Sequence, residues 1–362
     1  MTDVSASAAV GPPPGMKVRL SSNEAPFGPS PAAVAAMTHE IAQAHLYPDD
    51  AATQLRAAIA DFEGVDVDRI SAGTGSAALL MDIIGHECHD GGNVVAYERA
   101  FIVYRLGARN AGVAYVEAPT GGPATADRDG YARDPQSLLD VVDAATGLVV
   151  IDNPGNPTGS HLAGPDLAAV VAGIPEDVTV VIDEAYTQFA AGQRGYATAS
   201  ELGLEHPRLL VTRTFSKAYA LAGVRVGYIV GNDATLVGSV DGWRTRFNVT
   251  RPGQAGAIAA LGDTDHLART VAGTLEGRAR MAAGLRDLGV PFTDGLGNFL
   301  TIELGQPSQA IVAAYAEHGV GVRPLLPYGM TEQFRVTVGR PEEVDAFLEA
   351  SALVLAGVAS RA

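Results

Sequence analysis

The chain is poor in several features that would each point to a particular class of protein. It has a single cysteine, Cys88, among 362 residues, which excludes an intrachain disulfide and favours a reducing compartment. It has only 25 Lys and Arg against 41 Asp and Glu, a formal net charge of −16, which speaks against nucleic-acid or anionic-membrane partners. No apolar run approaches the roughly 18 residues that cross a bilayer. The stretch 1–15 also lacks the basic residues that begin a signal peptide. These absences predict a soluble, cytoplasmic protein.

What is present is the composition of a folded protein of about two domains, with 47% hydrophobic and 18% charged residues. Up to about residue 230, seven short apolar runs alternate with segments of helix length. Runs such as 148–151 and 178–182 are apolar at every position, which is typical of strands buried on both faces of a mostly parallel sheet. We therefore expect an α/β fold.

A change of pattern near residue 245 predicts a second domain. Long alanine-rich helices and the strand-like segments 298–304 and 333–338 follow this point. The prolines at 12–14 indicate an irregular arm at the start. We expect three parts: an N-terminal arm that joins the small domain (1–28), a large domain (29–245) and a small C-terminal domain (246–362).

The segment 213–217 carries a lysine shortly after a predicted strand. The hydroxyl-bearing residues Thr214 and Ser216 precede Lys217, and Arg225 follows it by eight positions. A lysine amine forms a Schiff base with an aldehyde, while hydroxyl and guanidinium groups bind a phosphate dianion. A lone lysine here would be an ordinary residue of a surface turn. The full spacing instead favours a cofactor that has both an aldehyde and a phosphate.

A second segment places Asp183 at the end of a buried strand, with Tyr186 three residues later. An isolated buried carboxylate is costly, and a protonated pyridine nitrogen would be a suitable partner that keeps the ring an electron sink. Tyr186 could reach a phenolate oxygen of the same ring. The alternative is that Asp183 caps the next helix. Glu184 points the other way by strand alternation and is interpreted as structural.

Two turn-rich loops follow other predicted strands. In the loop 152–159, the amide of Asn156 is a neutral donor for a phenolate oxygen. The glycine-rich loop 71–77 offers backbone N–H groups and a helix dipole to a phosphate, although it lacks the lysine of a Walker loop and the third glycine of a dinucleotide motif. All four segments lie at the carboxyl ends of predicted strands, where open α/β sheets bind ligands.

In this order and spacing, the four segments resemble those of the fold-type I pyridoxal 5'-phosphate (PLP) aminotransferases, and within them the histidinol-phosphate aminotransferase family. The resemblance extends over about residues 19 to 348 and includes LSSNEAPFG at 20–28, YPD at 47–49, VRP at 322–324 and FRVTVG at 334–339. It implies a large domain with a seven-stranded, mostly parallel sheet between helices and a smaller α+β domain. It implies a homodimeric transaminase with shared active sites. The enzyme would move an amino group between an aromatic amino acid or histidinol phosphate and a 2-oxo acid such as 2-oxoglutarate.

The resemblance also implies roles for the matched residues at the cofactor. Lys217 would carry PLP as a Schiff base and move a proton between the substrate Cα and the cofactor. Asp183 would pair with the pyridine nitrogen, and Tyr186 and Asn156 would hydrogen-bond the ring oxygen. The phosphate would be held by side chains or backbone of Thr214, Ser216, Arg225, Gly75, Ser76 and Ala77.

Further residues are placed around the substrate by the same resemblance. Tyr104 would stack on the ring, and Tyr47 would reach the phosphate of the neighbouring subunit's cofactor. Arg335 would bind the substrate carboxylate, with Asn23 and Arg323 beside it. From the residues alone, the alternation in 333–338 fits a solvent-facing edge strand equally well.

Three positions depart from the histidinol-phosphate pattern: Ala77 replaces an acidic residue, Pro13 a tyrosine and Arg246 a proline. These departures favour the aromatic-amino-acid branch, and we predict that phenylalanine or tyrosine is a better substrate than histidinol phosphate. Two other functions stay open, namely another PLP carbanion enzyme (a decarboxylase, racemase or oxidase) and a PLP-binding regulatory protein. The pair His86 and His89 is interpreted as ordinary residues of a helix end, and no metal is expected.

Overall fold

The computed structural model describes residues 17–125 and 130–359, so the prolines at 12–14 lie outside the described residues. Its strands are β1 (Val18–Arg19), β2 (Ile70–Gly73), β3 (Asn93–Tyr97), β4 (Ala114–Ala118), β5 (Thr146–Asp152), β6 (Thr179–Asp183), β7 (Leu209–Thr214), β8 (Gly227–Gly231), β9 (Phe292–Thr293), β10 (Phe299–Glu303), β11 (Val320–Gly321), β12 (Arg323–Pro324) and β13 (Gln333–Thr337). Its helices are α1 (Pro31–Ile41), α2 (Thr53–Glu63), α3 (Ser76–Glu87), α4 (Ile102–Ala111), α5 (Pro135–Leu139), α6 (Gly164–Gly173), α7 (Thr187–Ala190), α8 (Ala234–Trp243), α9 (Arg251–Gly262), α10 (Thr264–Asp287), α11 (Ser308–Glu317) and α12 (Pro341–Ala359).

A seven-stranded sheet in the order β2-β8-β7-β6-β5-β3-β4 forms the central layer. Strand β8 is antiparallel to β2 and β7, and the other neighbouring pairs are parallel. This arrangement confirms the α/β fold with a mostly parallel sheet. It also places the carboxyl ends of β5, β6 and β7 at one edge, because parallel strands share their direction.

The apolar runs of the central strands are explained by helices on both faces of the sheet. In β5, Leu148 and Val150 pack with residues of α3, α4 and α8, whereas Val149 and Ile151 pack with residues of α6. Every position of such a strand therefore contacts one of two hydrophobic cores.

A second, antiparallel sheet has the order β12-β13-β10-β9 and packs with α10, α11 and α12 around its own core. Strand β1 pairs with β11, which places residues 18–19 beside this second sheet. Helix α9 packs on α1 and α2. The predicted division near residue 245 stays a prediction.

Within the described ranges, no helix is both long and apolar enough to cross a membrane.

Candidate active site

Lys217 follows β7 and points its amine at the chain that enters from β1. Its Nζ donates to the carbonyl oxygens of Asn23 at 3.2 Å and Ser22 at 3.5 Å, and it lies 5.7 Å from the centre of the Tyr186 ring. Desolvation by burial, with help from the positive charge of Arg335, lowers the pKa of Lys217 to about 7. The amine is therefore able to accept and release a proton near neutral pH.

Asp183 ends β6 and is 3% exposed. Its carboxylate accepts hydrogen bonds from Tyr104 Oη at 2.8 Å and Thr212 Oγ1 at 3.1 Å. Among the described residues, no Lys, Arg or His forms an ion pair with it. Burial raises the pKa of Asp183 to about 7, although the Tyr104 hydrogen bond opposes that effect. Within the described ranges, the carboxylate thus lacks a cationic partner that would stabilise its ionised form.

The residues predicted to bind phosphate converge at the start of α3. Arg225 Nη1 donates to Ser216 Oγ at 3.3 Å, and Thr214 Oγ1 donates to the same hydroxyl at 3.0 Å. Gly75 precedes α3 without a side-chain cap and has a φ of 85°. A Cβ on Gly75 would lie 2.6 Å from Arg225 Nη2, so only glycine leaves this space open. The uncapped helix start and the guanidinium together have the donors that an anion cradle needs.

Asn23 ties Tyr186 to the second sheet. Its Nδ2 donates to Tyr186 Oη at 2.9 Å, while its backbone N–H donates to Thr337 Oγ1 at 2.9 Å. Asn298 Nδ2 donates to the Asn23 carbonyl at 3.2 Å. Asn23 holds a positive φ of 54°, a conformation that asparagine tolerates better than most residues. These contacts connect the Tyr186 hydroxyl to the segment whose carbonyl oxygens accept hydrogen bonds from Lys217.

Arg335 lies in β13, an interior strand of the second sheet, so the alternative of a solvent-facing edge strand is wrong. Its guanidinium donates to Asn156 Oδ1 and to the Ser21 carbonyl, the latter at 3.1 Å. Its Nε is one of the buried nitrogens without a hydrogen-bond partner in the described part of the chain. Arg323 is its register partner on β12, which places the two arginines side by side.

Tyr47 is an exposed residue that contacts Phe247. Its side chain is 81% exposed, and its ring centre lies 4.9 Å from that of Phe247. Arg246, in the same region, pairs with Asp50 at 2.6 Å.

Sequence reasoning missed several residues that hold the site in place. Thr212, Thr337 and Asn298 bind Asp183 or Asn23 directly, and the sequence gives no indication of the hydrogen bond from Tyr104 to Asp183. A buried ion pair between Arg133 and Asp152 was also missed. One signal was available in the sequence: Asp152 ends its strand just as Asp183 does, which indicates a carboxylate at the site.

The site fits a cofactor that combines an aldehyde, a phosphate and a pyridine nitrogen. It offers an amine of low pKa at Lys217, hydrogen-bond donors suited to an anion beside Gly75, and at Asp183 a buried carboxylate with no cationic partner among the described residues. By contrast, no cluster of three or more His, Cys, Asp or Glu side chains that could hold a metal occurs in residues 17–125 and 130–359. His86 instead contacts Glu87 at 2.7 Å and the edge of Trp243.

Comparison with known proteins places this geometry in a family. Residues 15–350 match the family described as aminotransferase class I and II. The chain is 40% identical over 338 residues to histidinol-phosphate aminotransferase 2 of Methylococcus capsulatus, covering 93% of this chain and 90% of the relative. It is 37% identical over 349 residues to the aromatic amino acid aminotransferase of Rhodococcus jostii, covering 95% and 93%. The crystal structure of histidinol-phosphate aminotransferase from Sinorhizobium meliloti in complex with pyridoxal-5'-phosphate superposes with a TM-score of 0.83 at 27% identity, covering 99% and 98%.

Proposed function

The chain belongs to the class I and II aminotransferase family and is a PLP-dependent aminotransferase, and from that premise we propose that Lys217 is its catalytic base. When bound, PLP supplies the electron-accepting ring that makes removal of a proton from the substrate Cα possible. Lys217 Nζ would accept that proton from Cα and donate it at the cofactor carbon C4′, two bonds away. A pKa lowered to about 7 suits both steps, because the amine exchanges protons near neutral pH.

Asp183 is proposed to hold the proton on the pyridine nitrogen. Its burial and its lack of a cationic partner among the described residues support this role, since a pyridinium would satisfy the carboxylate. Tyr186 and Asn156 are proposed to hydrogen-bond the ring oxygen, and Tyr104 to pack against the ring. The phosphate is proposed to bind Thr214, Ser216, Arg225 and the backbone of Gly75, Ser76 and Ala77.

Arg335 is proposed to bind the carboxylate of the amino acid and of the 2-oxo acid. The observation that supports this role is its buried Nε, which has no hydrogen-bond partner within the described ranges. A guanidinium binds a carboxylate through two parallel N–H donors, and this nitrogen is free to be one of them. Asn23, which contacts Tyr186, is proposed to lie on the substrate side of the site together with Arg335.

For the amine substrate we propose phenylalanine or tyrosine ahead of histidinol phosphate. The observation that carries this choice is an apolar surface beside the two arginines of the second sheet. Buried Leu325 packs with Tyr328 and provides apolar surface near the arginines. One relative is named a histidinol-phosphate aminotransferase and another an aromatic amino acid aminotransferase, and these names support the two amines as the candidate substrates.

Histidinol phosphate is the second candidate, because Arg323 and Arg335 are register partners on adjacent strands. Two guanidinium groups on one face suit a phosphate dianion. A competition between the two amines with 2-oxoglutarate as acceptor decides between them. We expect a higher kcat/KM for the aromatic amino acid. A preference for histidinol phosphate of more than about tenfold, or 1.4 kcal/mol, would reverse the assignment.

A homodimer is also proposed, with Tyr47 reaching the phosphate of the partner's cofactor. The neighbouring rings of Tyr47 and Phe247 are 81% and 43% exposed in the single chain, and such paired apolar surface is typical of an interface. Light scattering should give twice the mass of one chain, and Tyr47→Phe should weaken PLP binding without dissociating the dimer. A cytoplasmic location is proposed from the single cysteine.

A further inference from the structure

Asp152 and Asp183 are register partners at the ends of β5 and β6, yet in the described part of the chain only Asp152 has a cationic partner. Arg133 Nη2 lies 2.5 Å from Asp152 Oδ1, and Arg133 Nη1 donates to the Asp152 carbonyl. The two side chains are 1% and 4% exposed. The guanidinium also lies over the Tyr97 ring at 5.1 Å. The ion pair is therefore fixed on several sides and shielded from water.

The second oxygen of Asp152 links two segments of the site. It accepts hydrogen bonds from the backbone N–H groups of Phe101 and Asn156, each at 3.1 Å. Phe101 directly precedes α4, whose first turn carries Tyr104. One carboxylate thus holds both the helix start that presents Tyr104 and the loop that presents Asn156.

Gly155 leaves the room that this ion pair needs. A Cβ at Gly155 would lie 2.2 Å from Arg133 Nη2, so any other residue would displace the guanidinium. The loop 152–159 and Arg133 therefore fit each other although they come from separate segments.

We infer that Arg133 and Asp152 form a positioning pair, which holds Asn156 and Tyr104 at the cofactor site and leaves Asp183 as the carboxylate that meets the cofactor. This inference rests on the proposed roles of Asn156, Tyr104 and Asp183. Without Arg133, two carboxylates on adjacent strands would face each other, and one would take up a proton or move away. Either response would disturb the partner of the pyridine nitrogen.

The test compares Arg133→Met with a matched control, Arg208→Met. Arg208 forms an ion pair with Glu87 at 2.5 Å, next to the start of β7 and therefore at the opposite edge of the sheet. For both variants we would measure the dissociation constant of PLP by equilibrium dialysis, the pH dependence of the absorption of bound PLP, and the melting temperature.

We expect Arg133→Met to bind PLP at least about tenfold more weakly, with the pH midpoint of the absorption change moved upward because a positive charge is lost. Arg208→Met should lower the melting temperature but leave PLP binding within about twofold. If Arg133→Met does not fold, Arg133→Lys is compared with Arg208→Lys instead. Lysine keeps the positive charge but cannot make the bidentate contact of the guanidinium.

Two results would overturn the inference: PLP binding within about twofold of wild type in the folded Arg133 variant, or an equal loss in the Arg208 control. A wild-type protein whose PLP attaches to a lysine other than Lys217 would instead contradict the proposed function. The two failures are therefore distinguishable.

Discussion

Asp183 and Glu184 are consecutive residues at one strand end, but their surroundings are opposite. Glu184 accepts from Arg213 Nε at 2.9 Å and Nη2 at 2.7 Å, and the same guanidinium binds Glu63 at 2.6 Å. We call Glu184, Arg213 and Glu63 the compensated set. Asp183, Lys217 and Arg335, which form no ion pair among the described residues, are the open set. Among the described residues, every member of the compensated set has a partner of opposite charge, and no member of the open set has one.

This difference separates charges that hold the fold from charges that are available to ligands. A buried ion pair is satisfied internally, so its loss is felt as instability. A buried charge without a partner is unfavourable in the empty protein and becomes favourable when a ligand brings the opposite charge. Substitutions in the open set should therefore lower activity, and substitutions in the compensated set should lower stability.

The largest effect is expected for Lys217→Ala. Loss of a general base lowers turnover by about 10⁴-fold, and here the attachment point of PLP is lost as well. The melting temperature of the cofactor-free protein should not fall, because no ion pair is broken. Borohydride reduction followed by peptide mapping should locate PLP at Lys217 in the wild type. Attachment to a different lysine in the variant would contradict the assignment.

Asp183→Asn should lower kcat by about 10²–10³-fold or more, as expected for the removal of a preorganised electrostatic partner. Its matched control is Glu184→Gln, the neighbouring member of the compensated set. The control should lower the melting temperature by about 5 °C or more, since it leaves Arg213 short of a carboxylate. Steady-state kinetics and thermal melting of both variants test the comparison. Near-normal turnover in Asp183→Asn would break it.

Arg335→Lys tests the substrate side of the open set. Lysine retains the charge but cannot offer two parallel donors to a carboxylate, so kcat/KM for 2-oxoglutarate should fall about tenfold to a hundredfold. PLP affinity should change little, which dialysis would check. A loss confined to PLP binding would place Arg335 at the cofactor instead of the substrate.

The smallest expected effect is on the pH dependence of stability in the cofactor-free protein. The folded-state pKa of Asp183 is raised to about 7, so the folded state keeps a proton that the unfolded chain releases from about pH 4 upward. Stability therefore falls between about pH 4 and 7. The pKa of Lys217 is lowered to about 7, so its folded form releases its proton first and stability rises from about pH 7 to 10.

Thermal melts across this range should show Asp183→Asn gaining at least about 2 °C on the wild type as pH rises from 4 to 7. Added PLP should reduce that gain, because a bound cation stabilises the Asp183 carboxylate. A difference that does not vary with pH would show that Asp183 is not the titrating group.

The sequence alone predicted the parts of the site that depend on local spacing. Runs of apolar residues gave the strands of the sheet, and the parallel direction of those strands put Asp183 and the loop 152–159 at one edge. The short distance along the chain from Thr214 to Arg225 was sufficient to predict that Thr214, Ser216 and Arg225 lie together. Such inferences succeed because strand direction and turn chemistry act over a few residues.

Other contacts depended on segments far apart in the chain, and no local pattern carries that information. The sequence pattern around Arg335 fits both a buried and an exposed position, and the interior place of β13 in its sheet decides for the buried one. The contact of Asn23 with Tyr186, and that of Arg133 with Asp152, join segments separated by 163 and 19 residues. Whether a buried charge belongs to the compensated or the open set is therefore decided by packing. The sequence determines which charged groups reach the strand ends, and only the tertiary structure determines which of them are left for a ligand.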